Sequence, residues 1–428
     1  MSEKEKIGKR EAVRERLRRR PRIRPKVYGY LSEEKESLRQ GFAALFLSSV
    51  GELVAGLVLA SISGTLDELV GLAVLIPAAI GMRGAIFGAM GSRLSTSIQT
   101  GLFRLNLRRG VLAENVQAAA VLSLVSGVFL AFLARVLCGI LGVETELSVV
   151  DYVIISTAGG IIAGVLLLGI TVLVARLSVA RGWDMDNIGA PMLTAAGDIL
   201  TLPSLVIATY LIGIPIFSSV LGATLALAAG AAAYFGLRMG VENLRRILAE
   251  SFPILAMTGT VTILVGVALQ NREEQFTTLL ALSILLPAFL QEGGALGGIL
   301  SSRLSSKIHL GLIAPRGVPQ FAALRDFTLI YIFAAGVYVF IGGASHLIAV
   351  ALFPDGASPG FLVMIGVSAI AGLIATTAAV LAAYYGSTLS YRLGLDPDTY
   401  GIPIITAAVD LLGFMSLIIA LIVFGLAG

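Results

Sequence analysis

Two aspartates occupy the same place in two copies of an eight-residue motif. The motif Pro-x-x-Thr-Ala-Ala-x-Asp ends at Asp198 and again, 212 residues later, at Asp410. Thr194 and Thr406 precede the aspartates by one helical turn and therefore share a helix face with them. Two carboxylates in a low-dielectric site repel each other, and a divalent cation relieves that repulsion. Because Mg2+ is commonly held by one or two carboxylates and keeps several waters, the pair predicts a site for Mg2+ or another divalent cation.

A second duplicated block lies earlier in each half of the chain. Residues 77–95 and 287–305 share a leading Pro, several small residues and the ending Ser-Arg-Leu-Ser, at a constant offset of 210. Gly84 and Gly294 occupy equivalent positions and are candidates to line an ion path with backbone. Two blocks in the same order and at nearly the same offset indicate an internal duplication.

Three further ionisable residues fall deep inside apolar segments. Glu52 and Glu292 are candidate pore-lining residues, and Arg83 is the third. An ionisable group at the bilayer centre is costly, so each needs a partner, a proton or a water-filled path. Glu292 and Arg83 each occur in only one half, which makes them candidates for a pair across the axis between the halves.

The elements that position these residues are membrane helices. The chain is 57% hydrophobic and 14% charged, and its apolar runs exceed the roughly 20 residues that cross a bilayer. We predict eleven spans at about 41–62, 69–101, 112–138, 149–176, 188–213, 215–237, 247–269, 277–311, 325–353, 361–391 and 400–426. The second is too long for one straight crossing, and Pro77, Gly81 and Gly84 predict a break in it.

The span count fixes the arrangement of the two repeats. Each repeat has five spans, and the unpaired sixth returns the chain to its starting side, so the repeats run parallel about a pseudo-two-fold axis along the membrane normal. The predicted fold class is an all-α polytopic membrane bundle. The predicted organisation is a basic tail (1–36), a first repeat (37–214), a linker helix (215–240) and a second repeat (241–428). The fused halves supply the dimer that a central path needs, so oligomerisation is not required.

The charges orient the chain. The first 40 residues hold 14 Lys or Arg against 7 Glu. A nucleic-acid arm is one interpretation, but a basic segment before a first span more often fixes the cytoplasmic side and contacts anionic lipid, so no nucleic acid is expected. Of the 17 later Lys and Arg residues, only Arg83, Arg135 and Arg272 depart from the positive-inside pattern. The N-terminus is therefore predicted in the cytoplasm and the C-terminus outside the cell membrane.

These motifs carry a family resemblance. The two Pro-x-x-Thr-Ala-Ala-x-Asp blocks, the Ser-Arg-Leu-Ser blocks, and the Asp-x-Asp-Asn run at 184–187 with its partner Asp-Pro-Asp at 396–398 resemble the MgtE magnesium channels and their fused two-repeat relatives among the solute carriers. The resemblance covers nearly everything after residue 36. It implies a helical bundle around one ion path, with Mg2+ bound at Asp198 and Asp410. It also implies transport without enzymatic activity or a cofactor.

Other functions fit parts of the pattern. An intramembrane aspartyl protease also places two aspartates on membrane helices. Its Pro-Ala-Leu motif is absent here, and its function does not require the two aspartates to have the same flanking residues, as Asp198 and Asp410 do. A proton- or sodium-coupled carrier of another solute would use Glu52 and Glu292 as coupling sites. A scaffold that transports nothing gives no reason for four buried carboxylates.

Overall fold

The structure is a computed structural model that describes residues 35–181, 185–214, 216–238, 242–309, 311–353, 357–393 and 402–426. It divides into residues 1–44 and residues 45–428. Of the first unit, only residues 35–44, the beginning of a helix, are described. The motif residue Asp184 and the motif at 396–398 lie outside the described residues.

The described residues form thirteen α-helices and no strand, which confirms the all-α fold class. They are α1 (Lys35–Ser61), α2 (Ser63–Glu68), α3 (Ile76–Gln99), α4 (Val111–Leu141), α5 (Val149–Arg181), α6 (Met185–Thr209), α7 (Phe217–Arg238), α8 (Glu242–Gln270), α9 (Glu273–Thr278), α10 (Leu280–His309), α11 (Phe321–Leu352), α12 (Phe361–Leu393) and α13 (Ile402–Val423).

Within the described residues, ten helices are long and apolar enough to cross a membrane. They correspond to ten of the eleven predicted spans. The remaining predicted span, 188–213, coincides with α6, whose apolar stretch within the described residues is the shorter Leu193–Thr209. The chain is therefore a polytopic membrane bundle.

The predicted break in the second span lies elsewhere than expected. Helix α3 is continuous through Gly81 and Gly84. The chain instead turns before the helix, where Gly71 adopts a φ of 106° and a 3-10 turn covers Leu72–Val74. Pro77 sits in the first turn of α3, where a missing N–H costs nothing. The expectation of a break at the glycines was wrong because both pack against side chains of neighbouring helices, Thr262 and Thr194, while remaining helical.

The inner helices of the two halves pack together. Helix α3 contacts α6 of its own half and α8 of the other half, and α8 also contacts α13. In the second half, α10 contacts α12 and α13. Glycines allow these close approaches, since small residues let membrane helices come near each other. The residues of the duplicated motifs are thereby concentrated at the boundary between the halves.

Candidate functional site

A cavity of about 740 Å3 lies at the boundary between the two halves. Its walls come from α3, α6, α8, α10 and α13, with Leu122 of α4 at one side. On α3 the lining residues run from Ile80 to Arg93, which at 1.5 Å per residue corresponds to a length of roughly 20 Å. We call this space the central cavity.

The central cavity brings together six residues that the sequence singles out. Asp198 and Asp410 line it, and so do Thr194, Thr406, Gly84 and Gly294. Asp198 is only 3% exposed, and its carboxylate acts electrostatically on that of Asp410.

The surroundings of the two aspartates repeat across the halves. A Cβ on Gly84 would lie 3.8 Å from Cγ2 of Thr194, and a Cβ on Gly294 would lie 3.4 Å from Cγ2 of Thr406. A glycine on the second membrane helix of each half thus faces the threonine one turn before the aspartate. The duplicated motifs build the same local geometry twice.

Glu52 and Glu292 lie outside the lining of the central cavity. Glu52 is 1% exposed, and its carboxyl lies within hydrogen-bonding reach of the Asp198 carboxyl, so the two acids can share a proton. Glu292 is fully buried, and its Oε1 accepts a hydrogen bond of 2.8 Å from Ser49, while Oε2 has no partner. These two glutamates form a buried acidic pair behind one side of the cavity.

The other side of the pseudo-two-fold axis has no such acids. At the offset of 210, Thr262 corresponds to Glu52, Met82 to Glu292, and Gly259 to Ser49. A Cβ on Gly259 would lie 2.9 Å from Cε of Met82, so that an apolar contact replaces the hydrogen bond from Ser49 to Glu292. The environment of Asp198 is therefore more acidic than that of Asp410.

Arg83 does not pair with Glu292. Its side chain is 2% exposed. Its Nη2 lies against Gly160 on α5, only 1.8 Å from the position that a Cβ on this glycine would take. Nε and Nη1 of Arg83 have no hydrogen-bond partner. The expected pair across the axis was wrong because the Arg83 side chain points outward to α5 of its own half, whereas Glu292 is bonded to Ser49.

Several lining residues were not predicted from the sequence. Gln291, Thr258 and Thr262 add polar groups to the wall, and Glu250 and Arg93 lie at the end where α8 begins. Glu250 accepts a hydrogen bond of 2.8 Å from Arg246. Thr262 could have been found, since it takes the place of Glu52 in the duplication. Glu250 carries no motif signal. Arg93 belongs to the duplicated Ser-Arg-Leu-Ser block, but a basic residue near a helix end does not by itself indicate a cavity wall.

The donor set fits a cation that keeps its water. Among the described residues, no three His, Cys, Asp or Glu side chains come together as a metal-binding group. Two aspartates and two threonines on the wall of this cavity could hold a divalent cation that keeps part of its water.

A membrane-embedded helix bundle with a polar cavity between two similar halves is typical of multi-pass membrane transport proteins. The comparison with known families gives the same result. The MgtE family model, described as a divalent cation transporter, matches residues 76–208 and again 286–420, together more than half of the chain. The chain therefore belongs to the MgtE family of divalent cation transporters, which are transporters and not enzymes.

Curated relatives agree with the family. Solute carrier family 41 member 3 of Rattus norvegicus is 25% identical over 390 residues, which cover 86% of this chain and 83% of the relative. Solute carrier family 41 member 2 of Xenopus laevis is 27% identical over 418 residues, covering 90% and 72%. The matches extend over both halves.

Among solved structures, the eukaryotic MATE transporter AtDTX14 aligns over 92% of this chain and 96% of its own. The TM-score is 0.33 and the identity 12%, so this likeness carries no argument about fold or function.

Proposed function

We propose that this protein carries Mg2+ across the cell membrane through the central cavity, and that Asp198 and Asp410 hold the ion from opposite sides. Family membership points to divalent cations as the transported ions. The preference for Mg2+ and the role of the aspartate pair are our inference. No cofactor takes part, and the ion is the substrate.

One observation supports this proposal above the others. The central cavity is lined by two aspartates from equivalent positions of the two halves. A buried pair of like charges is unfavourable unless a cation or a proton intervenes. A hydrated divalent ion between the aspartates supplies the missing charge, and Thr194 and Thr406 can orient its waters.

The test is an ion-flux assay on the purified full-length chain in proteoliposomes. Uptake is measured for Mg2+, Mn2+, Co2+ and Ca2+, each with and without a membrane potential. We expect Mg2+ to give the largest flux and to compete with the other divalent ions. Flux of none of these ions, in protein shown to be correctly inserted, would overturn the proposal.

A coupled carrier is the second candidate, because Glu52 is buried beside Asp198 and Oε2 of the buried Glu292 has no hydrogen-bond partner. Such groups can bind a proton or sodium that moves with or against the transported ion. The same proteoliposomes distinguish the two mechanisms. A pH or sodium gradient that drives divalent flux at zero potential supports coupling, and flux that follows only the gradient of the divalent ion supports a channel.

A further inference from the structure

The two halves can be aligned residue by residue through a pair of equivalent hydrogen bonds. Ser156 donates to the carbonyl of Gly127 at 2.9 Å, and Ser368 donates to the carbonyl of Tyr338 at 2.7 Å. The fourth membrane helix of each half, α5 or α12, thus aligns at an offset of 212, and the third, α4 or α11, at 211. The second helix aligns at 210, as in its duplicated block.

This alignment reveals an exchange of side chains between the halves. In the second half, the ring of Tyr338 lies on Gly372, where a Cβ would come within 2.3 Å of the ring. In the first half, the equivalent glycine is Gly160, and the guanidinium of Arg83 lies on it instead. Gly127 stands in place of Tyr338, and Gly293 stands in place of Arg83. A charged side chain therefore occupies, in one half only, the place of an aromatic ring.

Two buried hydroxyls accompany Arg83. Ser123 on α4 and Thr157 on α5 are 6% and 0% exposed, and neither hydroxyl has a hydrogen-bond partner. Their equivalents in the second half are Ala334 and Ala369. The second half shows that this packing does not require polar groups here. Because an unpartnered buried polar group is unfavourable, the three groups of the first half indicate a ligand.

A groove beside these groups could hold that ligand. It has a volume of about 270 Å3 and is lined by Ser123 and Gly160 together with apolar side chains of α3, α4 and α5. Ile161 and Val165 form its edge and are 39% and 64% exposed on the membrane side of the bundle. The groove therefore opens towards lipid rather than towards the central cavity.

In the second half, larger side chains fill the equivalent groove. Tyr331 and Thr377, which correspond to Ala120 and Val165, hydrogen-bond to each other at 2.8 Å across it. Phe327 and Ile330 replace the smaller Val116 and Ala119 of the first half. The open groove is a property of the first half alone, as is the polar cluster beside it.

The charge and depth of the site restrict its occupant. A guanidinium inside a membrane needs an anion, and the buried carboxyls of Glu52 and Glu292 are placed elsewhere. Ser123 lies twelve residues from the start of α4 and Gly160 eleven from the start of α5, roughly 17 Å along each helix. Because both helices are longer than the roughly 20 residues that cross the hydrocarbon core, this level lies about 10 Å inside it. A groove of about 270 Å3 at that level suits an amphiphile with one hydrocarbon chain and a small anionic head better than a two-chain phospholipid.

We propose that the groove binds a free fatty acid from the membrane. Its carboxylate accepts hydrogen bonds from the guanidinium of Arg83, whose Nε and Nη1 have no partner, and from the hydroxyl of Ser123. Its hydrocarbon chain lies along the apolar wall. The carboxylate neutralises Arg83, and the chain fills a groove that would otherwise hold lipid tails without specificity. This site is separate from the ion path and does not depend on the proposed function.

The test measures binding of radiolabelled oleate to the full-length protein in nanodiscs of zwitterionic lipid, with methyl oleate as the uncharged competitor. We expect saturable binding of one oleate per chain and no competition by methyl oleate. Arg83→Met should weaken binding by about tenfold or more, the usual effect of losing a charge-assisted hydrogen bond. Arg135→Met, which removes an arginine of α4 outside the groove, should leave binding unchanged.

A second variant protects the test against misfolding of the Arg83 variant. The double change Ala120→Tyr and Val165→Thr copies the closing pair of the second half and leaves Arg83 intact, and it should abolish oleate binding. Equal binding of oleate and methyl oleate, or full binding by either variant, would overturn the proposal. Displacement of oleate by millimolar bromide would reassign the site to a small anion and would overturn the choice of a fatty acid.

Discussion

Gly56 packs directly against the backbone carbonyl of Ile284, and a Cβ on residue 56 would come within 2.0 Å of that oxygen. The same contact recurs between Gly266 and the carbonyl of Val74, again at 2.0 Å. Both residues of the first contact lie 210 positions from those of the second. Contacts that repeat with the partners exchanged are the mark of a two-fold interface. The first membrane helix of each half is therefore held against the chain of the other half.

Replacement of either glycine by alanine should destabilise the protein. Alanine favours a helix by up to about 1 kcal/mol over glycine, but a clash with a backbone carbonyl costs more, about 3 kcal/mol. We expect Gly56→Ala and Gly266→Ala to lower the apparent melting temperature in detergent by similar amounts. Gly169→Ala is the control, because no atom lies within 4 Å of its Cβ position. Equal melting temperatures for all three variants and wild type would contradict the proposed interface.

Asp198→Asn and Asp410→Asn should each reduce divalent-ion flux by about tenfold or more, which corresponds to a loss of roughly 1.4 kcal/mol or more in ion binding. Asparagine keeps the shape of the side chain and removes the charge. Since both carboxylates are proposed to hold one ion, the flux of the double variant should be little lower than that of the more damaging single variant. Flux and Mg2+-dependent thermal stabilisation are measured together, with Asp67→Asn on the exposed α2 as the control. Normal values of both in the two single variants would refute the paired site.

Asp326→Asn should lower stability without a direct effect on the ion path. Asp326 is fully buried and receives hydrogen bonds from Arg303 at 3.1 Å and Lys307 at 2.7 Å. Loss of one partner of a buried ion pair costs about 3 kcal/mol. The first half uses the neutral Asn115 with Arg93 at 2.7 Å, so Asn115→Asp should be tolerated. Thermal unfolding of both variants is the measurement, and an Asp326→Asn protein as stable as wild type would show that the cluster contributes nothing.

Glu273 should make stability depend on pH. Burial raises the pKa of its carboxyl to about 7, Asp67 adds to the effect, and a hydrogen bond from Gln270 opposes it. The folded-state pKa lies above the unfolded value of about 4.3, so ionisation disfavours the folded state. Stability should therefore fall as the pH rises from about 4.3 to about 7 and then level off. Melting temperatures between pH 5 and 8 should decline less in Glu273→Gln than in wild type or Glu274→Gln, whereas superimposable profiles would exclude Glu273 as a cause.

The termini should lie on opposite sides of the membrane. Eleven spans from a cytoplasmic start place the C-terminus outside, and the basic residues near the inward ends agree with that direction. Epitope tags at each end, digested with protease in sealed right-side-out vesicles, give the answer. The C-terminal tag should be cleaved and the N-terminal tag protected, and protection of both tags would reject the predicted topology.

The sequence predicted those parts of the fold and site that the duplication repeats. Asp198 and Asp410 could be paired from their motifs alone, because the flanking residues match and a fixed offset relates the two positions. The position of Glu250 on the cavity wall could not be predicted, since it depends on which face of α8 turns inward. The direction of Arg83 was also beyond the sequence. The Arg83 side chain points to Gly160 because this glycine has no side chain and leaves room for the guanidinium. The two residues are seventy-seven positions apart in sequence, and only helix packing brings them together.

The unequal neighbours of the two aspartates have a consequence for how such a site can change. In a symmetric homodimer every buried charge at the axis appears twice, so the charge of an axial site can change only in steps of two. A covalently joined pair is free of that restriction. Glu52 adds one acid beside Asp198, and its counterpart Thr262 adds none beside Asp410. The central cavity has two chemically different sides, and its charge can be adjusted by single units.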